Sequence, residues 1–420
     1  MTAPAPTGSG RPAYTPRRER SLVAAIALGA FALRLIHLGR DSLWYDETVS
    51  VYLAGQRAAE LIAHTARDIH PPLYYLLLRG WLLLAGYPTG QADPTGHGLE
   101  FMAAFLSLCF GVLLVPLTWQ LARRLGLGGL TAALAALLIA ISPFGVWYSQ
   151  EVRMYTLGAC LGVVALLATL PFLRTDSTKA RLRRAAVVYA LAAAAGMATL
   201  YYFAFLLVCL NGLVLAAWLA RRRRRDASPG LSRTDGDASP GLSMTGNGTV
   251  PASRFTFPEL WLAAQAGALL LFLPWLPTAW RQATNPPVPP WRSAPQLLDA
   301  LVESWTALTF GQSANPAHLW PLLLLALALV ILGIAAARRS PLTINHYPFT
   351  INHSLILLTT ALGPLLLILL LSLATPLYHV RYLFTYSPPF SILLAMGLAA
   401  LWRRDTRLSN ALALTSLILL

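Results

Sequence analysis

Charged side chains are scarce in this sequence. Asp, Glu, Lys and Arg make up 12% of the 420 residues, whereas soluble globular proteins carry about 25%. Hydrophobic residues make up 56%, and the mean hydropathy is +0.57. Because the apolar residues also fall in runs long enough to cross a bilayer, a soluble multidomain protein is excluded. The composition predicts an all-α polytopic membrane protein.

Cysteine and metal-ligand patterns are also sparse. The three cysteines, Cys109, Cys160 and Cys209, all lie inside apolar runs, so no disulfide framework is predicted. No cluster of Asp and His has the spacing of metal ligands. The sequence therefore requires no cofactor and implies no metal, although a divalent metal is left open.

The apolar runs predict about ten or eleven transmembrane helices. A Pro-, Gly- and Arg-rich tail at 1–20, predicted to be disordered, precedes the first run at 21–38. No small-residue cleavage pattern follows this run, so it is interpreted as a signal anchor. Arg34 lies near its outer end and is predicted to extend its charge toward the headgroups. The other predicted spans lie at 100–121, 130–147, 154–173, 185–200, 201–220, 258–278, 318–337, 354–374 and 384–402, with an apolar half-span at 409–420.

The apolar run at 71–86 is too short to be interpreted in the same way. It contains 16 residues, begins with Pro-Pro and includes Arg79, whereas a span needs about 20 residues. If it lies flat in the interface, 23 Lys and Arg residues fall on the cytoplasmic side and 8 on the outer side, as the positive-inside rule expects. We therefore predict a juxtamembrane helix here, a cytoplasmic N-terminus and a location in the plasma (inner) membrane. The net charge of +15 then reflects topology, and no nucleic-acid partner is predicted.

On this topology, residues 21–420 form one transmembrane domain with large loops on both sides. The loop at 221–257 is cytoplasmic and contains the low-complexity segment DASPGLS twice. The first outer loop, 39–99, is predicted to carry interfacial helices. The other outer segments are the loop at 279–317 and the short turns at 148–153 and 375–383.

Polar motifs occupy four of the outer helix junctions. Asp46 and Glu47 follow the first span in LWYDETVS, and the alternative is that they only complement the dipole of a helix start. Glu151 and Arg153, in YSQEVRMY, either bridge each other at a tight turn or face a shared cavity. The remaining motifs are DIHPP and YHVRY.

The placement of these charges favours one kind of function. In YHVRY, Arg381 either faces the cavity shared with Glu151 and Arg153 or reaches the lipid headgroups. If it reaches the headgroups, Tyr382 belongs to the aromatic belt at the interface. The motifs together put acids, a His and two Arg at the outer rim, and almost no charge lies in mid-membrane. Transporters place ionisable residues near the bilayer midplane, so an ion or proton pathway is disfavoured. The pattern predicts chemistry at the outer interface on a lipid with a charged head.

Four ordered segments resemble glycosyltransferase family 39, which includes protein O-mannosyltransferases and bacterial lipid A aminoarabinose transferases. They are LWYDETVS, DIHPPLYY, SPFGVWYSQEVRMY and YHVRYLFTYSPP, and the resemblance runs from about residue 21 to 402. It implies a GT-C helical bundle with juxtamembrane helices in the first outer loop. It also implies a polyprenyl-phosphate sugar as the donor.

The resemblance also assigns roles to individual residues. It makes Asp46 the expected catalytic carboxylate and puts His70 close to the donor phosphate. Ala104 departs from the pattern, because relatives usually carry Arg there. The catalytic candidates are Asp46, Glu47 and Glu151, and the substrate-binding candidates are His70, Tyr148, Arg153, His379, Arg381 and Tyr382.

The sequence therefore predicts a membrane glycosyltransferase that acts on the outer face. A sugar on a polyprenyl phosphate is already activated, because cations stabilise the leaving phosphate. A carboxylate then deprotonates the acceptor hydroxyl as general base, and a single displacement inverts the anomeric carbon. The predicted partners are this donor, the bilayer and an unknown acceptor. The alternatives are a transporter or flippase of lipid-linked sugars and a non-catalytic membrane scaffold.

Overall fold

The computed structural model describes residues 16–87, 98–226, 257–285, 296–339, 349–404 and 406–419. In these ranges the chain is helical, and its only β-pairing is the isolated bridge between Arg174 and Phe349. Two 3-10 helices, Leu273–Trp275 and Val380–Tyr386, interrupt the α-helices. The α-helices are α1 (Pro16–Leu35), α2 (Tyr45–Gly55), α3 (Ala58–Arg67), α4 (Leu73–Leu84), α5 (Leu99–Arg124), α6 (Gly129–Ile141), α7 (Pro143–Gln150), α8 (Tyr155–Leu173), α9 (Lys179–Met197), α10 (Phe203–Asp226), α11 (Phe257–Phe272), α12 (Leu276–Thr284), α13 (Leu297–Phe310), α14 (Pro316–Arg339), α15 (His353–Ser372), α16 (Ser387–Trp402) and α17 (Arg407–Leu419).

The all-α bundle predicted from the sequence is confirmed, and each predicted span falls on one or two of these helices. Among the described residues, seven helices are long and apolar enough to cross a membrane, and the bent pair α6–α7 makes eight. The remaining two predicted spans are α1 and α9, which carry clusters of charged residues in their first turns. The cytoplasmic loop predicted at 221–257 lies mostly outside the described residues, as do residues 1–15 of the tail.

The predicted first outer loop, apart from residues 88–97, which lie outside the described residues, folds into three short helices at one end of the bundle. Arg123 Nε lies 3.3 Å from Glu19 Oε2, so the last turn of α5 lies beside the first turn of α1. These two long helices are therefore antiparallel, and α2, α3 and α4 add no net crossing between them. With 12 residues, α4 is also too short to span a bilayer. Its buried side chains pack against α2 and α5.

Segments predicted to be cytoplasmic meet at the opposite end. Arg221, near the end of α10, donates to the carbonyls of Phe172 and Arg174 and to the hydroxyl of Thr350. These contacts join the ends of α8 and α10 to the start of α15, as the predicted order of crossings requires.

Arg34 does not extend toward the headgroups, so that prediction is wrong. Its side chain is 1% exposed and donates to backbone carbonyls inside the bundle. The physical reason is a break between α6 and α7 that leaves carbonyl groups without partners, as described below.

The predicted orientation can be tested with two exposed alanines, Ala63 in α3 and Ala180 in α9. In a variant without the native cysteines, Cys at position 63 should react with an impermeant thiol reagent in intact cells. Cys at position 180 should react only after permeabilisation, because an even number of crossings separates α9 from the cytoplasmic N-terminus. Reaction of both positions in intact cells would contradict the flat orientation of α4.

Candidate active site

The structure brings residues from all four polar motifs together at one end of the bundle. Asp46 lies in the first turn of α2, and its Oδ2 is 3.1 Å from Arg381 Nη1. The same oxygen lies 3.8 Å from Arg153 Nη2. This guanidinium nitrogen is also 3.4 Å from His70 Nε2. A single cluster therefore holds one carboxylate, two guanidinium groups and an imidazole.

The two arginines differ in how firmly they are held. Arg153 follows α7, is 3% exposed and donates from Nη1 to the backbone carbonyl of Asp46 and to Ser50 Oγ. Arg381 is half-buried, and its guanidinium lies 5.6 Å from the centre of the Trp44 ring. Since Asp46 is itself 28% exposed, its ion pair with Arg381 lies on the accessible side of the cluster.

Glu47 is held by backbone amides instead of by the arginines. Its Oε2 accepts from the amide of Trp44 at 3.2 Å, and its Oε1 accepts from the amide of Val152 at 2.8 Å. Burial raises the pKa of Glu47, while these two hydrogen bonds act in the opposite direction. The side chain thus joins the start of α2 to the segment that carries Arg153.

His70 is oriented by Asp68, which belongs to the DIHPP motif but was not among the candidate site residues. Asp68 Oδ2 lies 3.4 Å from His70 Nδ1. A guanidinium can only donate, so the facing Nε2 of His70 accepts from Arg153, and Nδ1 carries the proton that Asp68 accepts. Burial lowers the pKa of His70, which favours this neutral form.

Glu151 lies beside the cluster in a cavity of about 510 Å³. Its Oε1 accepts from the indole N–H of Trp147 at 2.6 Å. Burial is the main cause that raises the pKa of Glu151 to about 7, and the nearby carboxylate of Glu47 adds to the shift. In the part of the chain that the structure describes, Glu151 forms no ion pair with Arg153 within 4 Å, and it shares the cavity with Arg381, whereas Arg153 does not line it.

The remaining three candidates lie behind the cluster. Tyr148 is 1% exposed, and its hydroxyl donates to Gln312 Oε1. Tyr382 stacks on Tyr202, with ring centroids 3.7 Å apart. His379 Nδ1 accepts from the backbone amide of Arg381 at 3.2 Å. Tyr148 lines the cavity, and His379 holds the backbone of Arg381.

The cavity is also lined by residues that sequence reasoning missed. Trp44 precedes the Asp-Glu pair, Trp147 precedes Tyr148, and Gln312 lies between α13 and α14. The tryptophans belong to motifs that had been singled out, but no signal marked Gln312. Ala104, the position that departs from the family pattern, lines the cavity as well. In the described ranges, no three His, Cys, Asp or Glu side chains are grouped as metal ligands.

The shifted pKa of Glu151 predicts how stability depends on pH. A carboxyl whose pKa rises from 4.5 to about 7 on folding binds its proton more tightly in the folded state. Its contribution to stability is therefore present at low pH and is lost as the pH rises from about 4.5 to 7. We expect the melting temperature in detergent to fall more over this interval for the wild type than for Glu151→Gln. Glu100→Gln is the matched control and should keep the wild-type slope, whereas equal slopes for the wild type and Glu151→Gln would contradict the prediction.

Comparison with protein families and with characterised proteins finds no match by sequence. Comparison of folds does find matches. The oligosaccharyltransferase AglB from Archaeoglobus fulgidus, in complex with an inhibitory peptide and a dolichol-phosphate, is 15% identical over 96% of this chain and 55% of its own, with a TM-score of 0.52. The protein O-mannosyltransferase complex Pmt1-Pmt2 from S. cerevisiae, bound to its sugar donor, is 17% identical over 70% of this chain and 36% of its own (TM-score 0.46). ArnT from Cupriavidus metallidurans, bound to undecaprenyl phosphate, is 15% identical over 93% and 79% (TM-score 0.43).

The archaeal oligosaccharyltransferase is a GT-C glycosyltransferase, and its TM-score confirms the GT-C helical bundle predicted from the sequence as the fold. The chain spans about half the length of the archaeal oligosaccharyltransferase. At this level of identity the likeness shows the fold alone.

Proposed function

We propose that the chain is a membrane glycosyltransferase that moves a sugar from a polyprenyl phosphate to an acceptor hydroxyl on the outer face. The observation that carries this proposal is the pairing of Asp46 with two arginines. Asp46 Oδ2 lies 3.8 Å from Arg153 and 3.1 Å from Arg381, and Arg381 lines a cavity large enough for a sugar. One carboxylate can act as a base there, while two guanidinium groups can bind a phosphate.

The donor phosphate is assigned to the arginine side of the cluster. A guanidinium offers planar, bidentate donors that match a phosphate. Arg153 is fixed by its hydrogen bonds, whereas Arg381 is half-buried and bonded through its side chain to Asp46. His70, which is neutral in this cluster, supports Arg153 without adding charge. In this proposal His70, Arg153 and Arg381 bind the donor head, with Tyr148, His379 and Tyr382 shaping the pocket around it.

Donor binding would also free the base. The phosphate competes with Asp46 for the guanidinium of Arg381, so binding of the phosphate leaves the carboxylate with fewer hydrogen bonds. Asp46 then takes the proton of the acceptor hydroxyl, whose oxygen attacks the anomeric carbon. The bond from that carbon to the phosphate oxygen breaks, and the polyprenyl phosphate leaves with both electrons, paired with the arginines. Attack from the face opposite the leaving group inverts the anomeric centre.

The other two acids have supporting roles in this mechanism. Glu47 keeps α2 joined to the segment around Val152 through its two backbone hydrogen bonds. Glu151 lines the cavity with a pKa of about 7, so near neutral pH it can either donate to or accept from a sugar hydroxyl. Among the described residues, Asp46 alone of the three acids lies within 4 Å of an arginine.

The test is transfer of a labelled sugar by the purified protein in liposomes. Polyprenyl-phosphate hexoses and pentoses are offered together with extracted cell-envelope acceptors, with a chelator or with added divalent metal. We expect sugar on an acceptor and an equal amount of released polyprenyl phosphate. Movement of the intact labelled lipid between leaflets without transfer would overturn the proposal in favour of a flippase.

A further inference from the structure

The junction of α6 and α7 leaves two carbonyl groups without helical donors. The chain bends by 51° there, and Ser142 at the bend has an extended ψ of 122°. In a continuous helix, the amides of residues 143 and 144 would donate to the carbonyls of Ile139 and Ala140. Pro143 has no N–H, and the turn at Ser142 directs the next amide elsewhere. A buried carbonyl without a partner is costly, so the bend needs another donor.

Arg34 supplies that donor from the neighbouring helix. Its Nη1 donates to the carbonyl of Ala140 at 2.6 Å, and its Nη2 donates to that of Ile139 at 3.1 Å. The two ends of one guanidinium thus satisfy both carbonyls that the bend frees. No carboxylate lies within ion-pairing distance of Arg34 in the described part of the chain, so hydrogen bonds to neutral groups stabilise this buried charge.

The same arginine also holds the far end of α7. Arg34 Nε donates to Ser149 Oγ at 2.9 Å, close to the end of the helix. Gln150 in turn donates from Nε2 to the backbone carbonyls of Arg34 and Ile36. The end of α1 is therefore bonded to the last turn of α6 before the bend and to the last turn of α7 after it.

Two glycines leave the space that this arrangement needs. A methyl group at Gly111 would lie 2.0 Å from Ser149 Oγ and 3.4 Å from Arg34 Nε, and one at Gly145 would lie 3.1 Å from Arg34 Nη2. Both positions are on helices that pack around the guanidinium. Glycine at positions 111 and 145 therefore leaves room for the arginine side chain at position 34 and for its contact with Ser149.

We propose that Arg34 is a positioning residue that fixes the bend between α6 and α7 and so places Tyr148 and Glu151 at the cavity wall. Helix α7 carries Tyr148, and Glu151 follows its last residue. Their placement depends on the direction in which α7 leaves the bend. Arg34 itself does not line the cavity, so it acts through the helix. The inference rests on the proposed function only for its activity readout.

The experiment compares Arg34→Met and Arg34→Lys with the control Arg124→Met. Arg124 is an exposed arginine in the last turn of α5. A cysteine replaces Trp147, which is 46% exposed at the cavity, in a variant without the native cysteines. A cysteine at Trp280, 70% exposed on α12, is the internal control. The rate of modification by a water-soluble thiol reagent, the melting temperature and the turnover per folded molecule are measured well below the unfolding transition.

We expect Arg34→Met to raise the modification rate at position 147 at least about threefold, without changing the rate at position 280. Turnover should fall on the order of 10²-fold, the usual effect of a misplaced group. Arg34→Lys should restore neither readout, because the three guanidinium nitrogens bind four acceptors, whereas an ammonium has only three donors on a single nitrogen. Arg124→Met should leave both readouts unchanged.

Two outcomes would overturn the inference. A lower melting temperature, with unchanged modification at 147 and unchanged turnover of the folded fraction, would mean that Arg34 only stabilises the bundle. Full recovery by Arg34→Lys would mean that its charge, and not its geometry, matters. If the wild type transfers no sugar, the proposed function fails, but the modification rates still test the position of α7.

Discussion

Replacement of Asp46 by asparagine is expected to lower the turnover of sugar transfer by about 10²–10⁴-fold, the usual worth of a positioned base. The amide keeps the shape of the side chain, and its oxygen can still accept from Arg381, which lies 3.1 Å from the native carboxylate. It cannot take a proton from the acceptor. We therefore expect the loss in kcat, with a smaller change in the KM of the donor.

The control must separate loss of the base from loss of stability. Arg153 is 3% exposed, and Asp46 is its only carboxylate within 4 Å among the described residues. Removing that charge leaves a buried arginine less well compensated, which also destabilises the fold. Turnover is therefore expressed per folded molecule. Asp176→Asn, which removes an Asp–Arg pair at the opposite end of the bundle, should leave turnover unchanged.

If Asp46→Asn kept near-normal turnover, Asp46 would not be the general base, and another acid would have to take that role. Glu47 would be a poor substitute, because backbone amides already bind both of its oxygens. Glu151, which faces the cavity, would then be the better candidate, and the pH profile of turnover in Glu151→Gln would test it.

Most of the bundle could be predicted from the sequence, because apolar length is a strong signal for a helix in a membrane. The flat interpretation of 71–86 depended on charge asymmetry, and the antiparallel arrangement of α1 and α5 agrees with it. The motifs around Asp46, His70 and Arg381 could be found because acids and arginines at helix junctions stand out in an apolar chain. Their pairing could not be predicted, because it depends on how four distant segments meet.

The role of Arg34 was missed for a related reason. From the sequence, an arginine near the end of a span is expected to reach the headgroups. The carbonyls that bind Arg34 are freed by Pro143, which lies more than a hundred residues away along the chain. Arg34 reaches them only because α1 packs beside the bend between α6 and α7. Gln312 was missed because nothing local marks a glutamine that accepts from Tyr148. Both roles depend on contacts between distant helices, and such contacts cannot be predicted from the pattern of a single sequence.

Arg381→Lys is expected to raise the KM for the donor by about 10–100-fold, although it conserves charge. The range corresponds to loss of one charge-assisted hydrogen bond, worth roughly 1.5–3 kcal/mol. The guanidinium donates to Asp46 and lies near the face of Trp44. A lysine ammonium is a point charge and cannot offer two parallel donors to a phosphate. A smaller loss in kcat should accompany the change, since charge on the leaving phosphate grows in the transition state.

The comparison with Arg57→Lys separates binding from general charge effects. Arg57 is exposed at the start of α3, so the same substitution there should leave both constants unchanged. Steady-state kinetics with a short-chain donor analogue measure both variants under the same conditions. If neither substitution has an effect, Arg381 only neutralises Asp46 when the site is empty. The phosphate would then have to bind at Arg153 and His70, and Arg153→Lys should show the larger rise in KM.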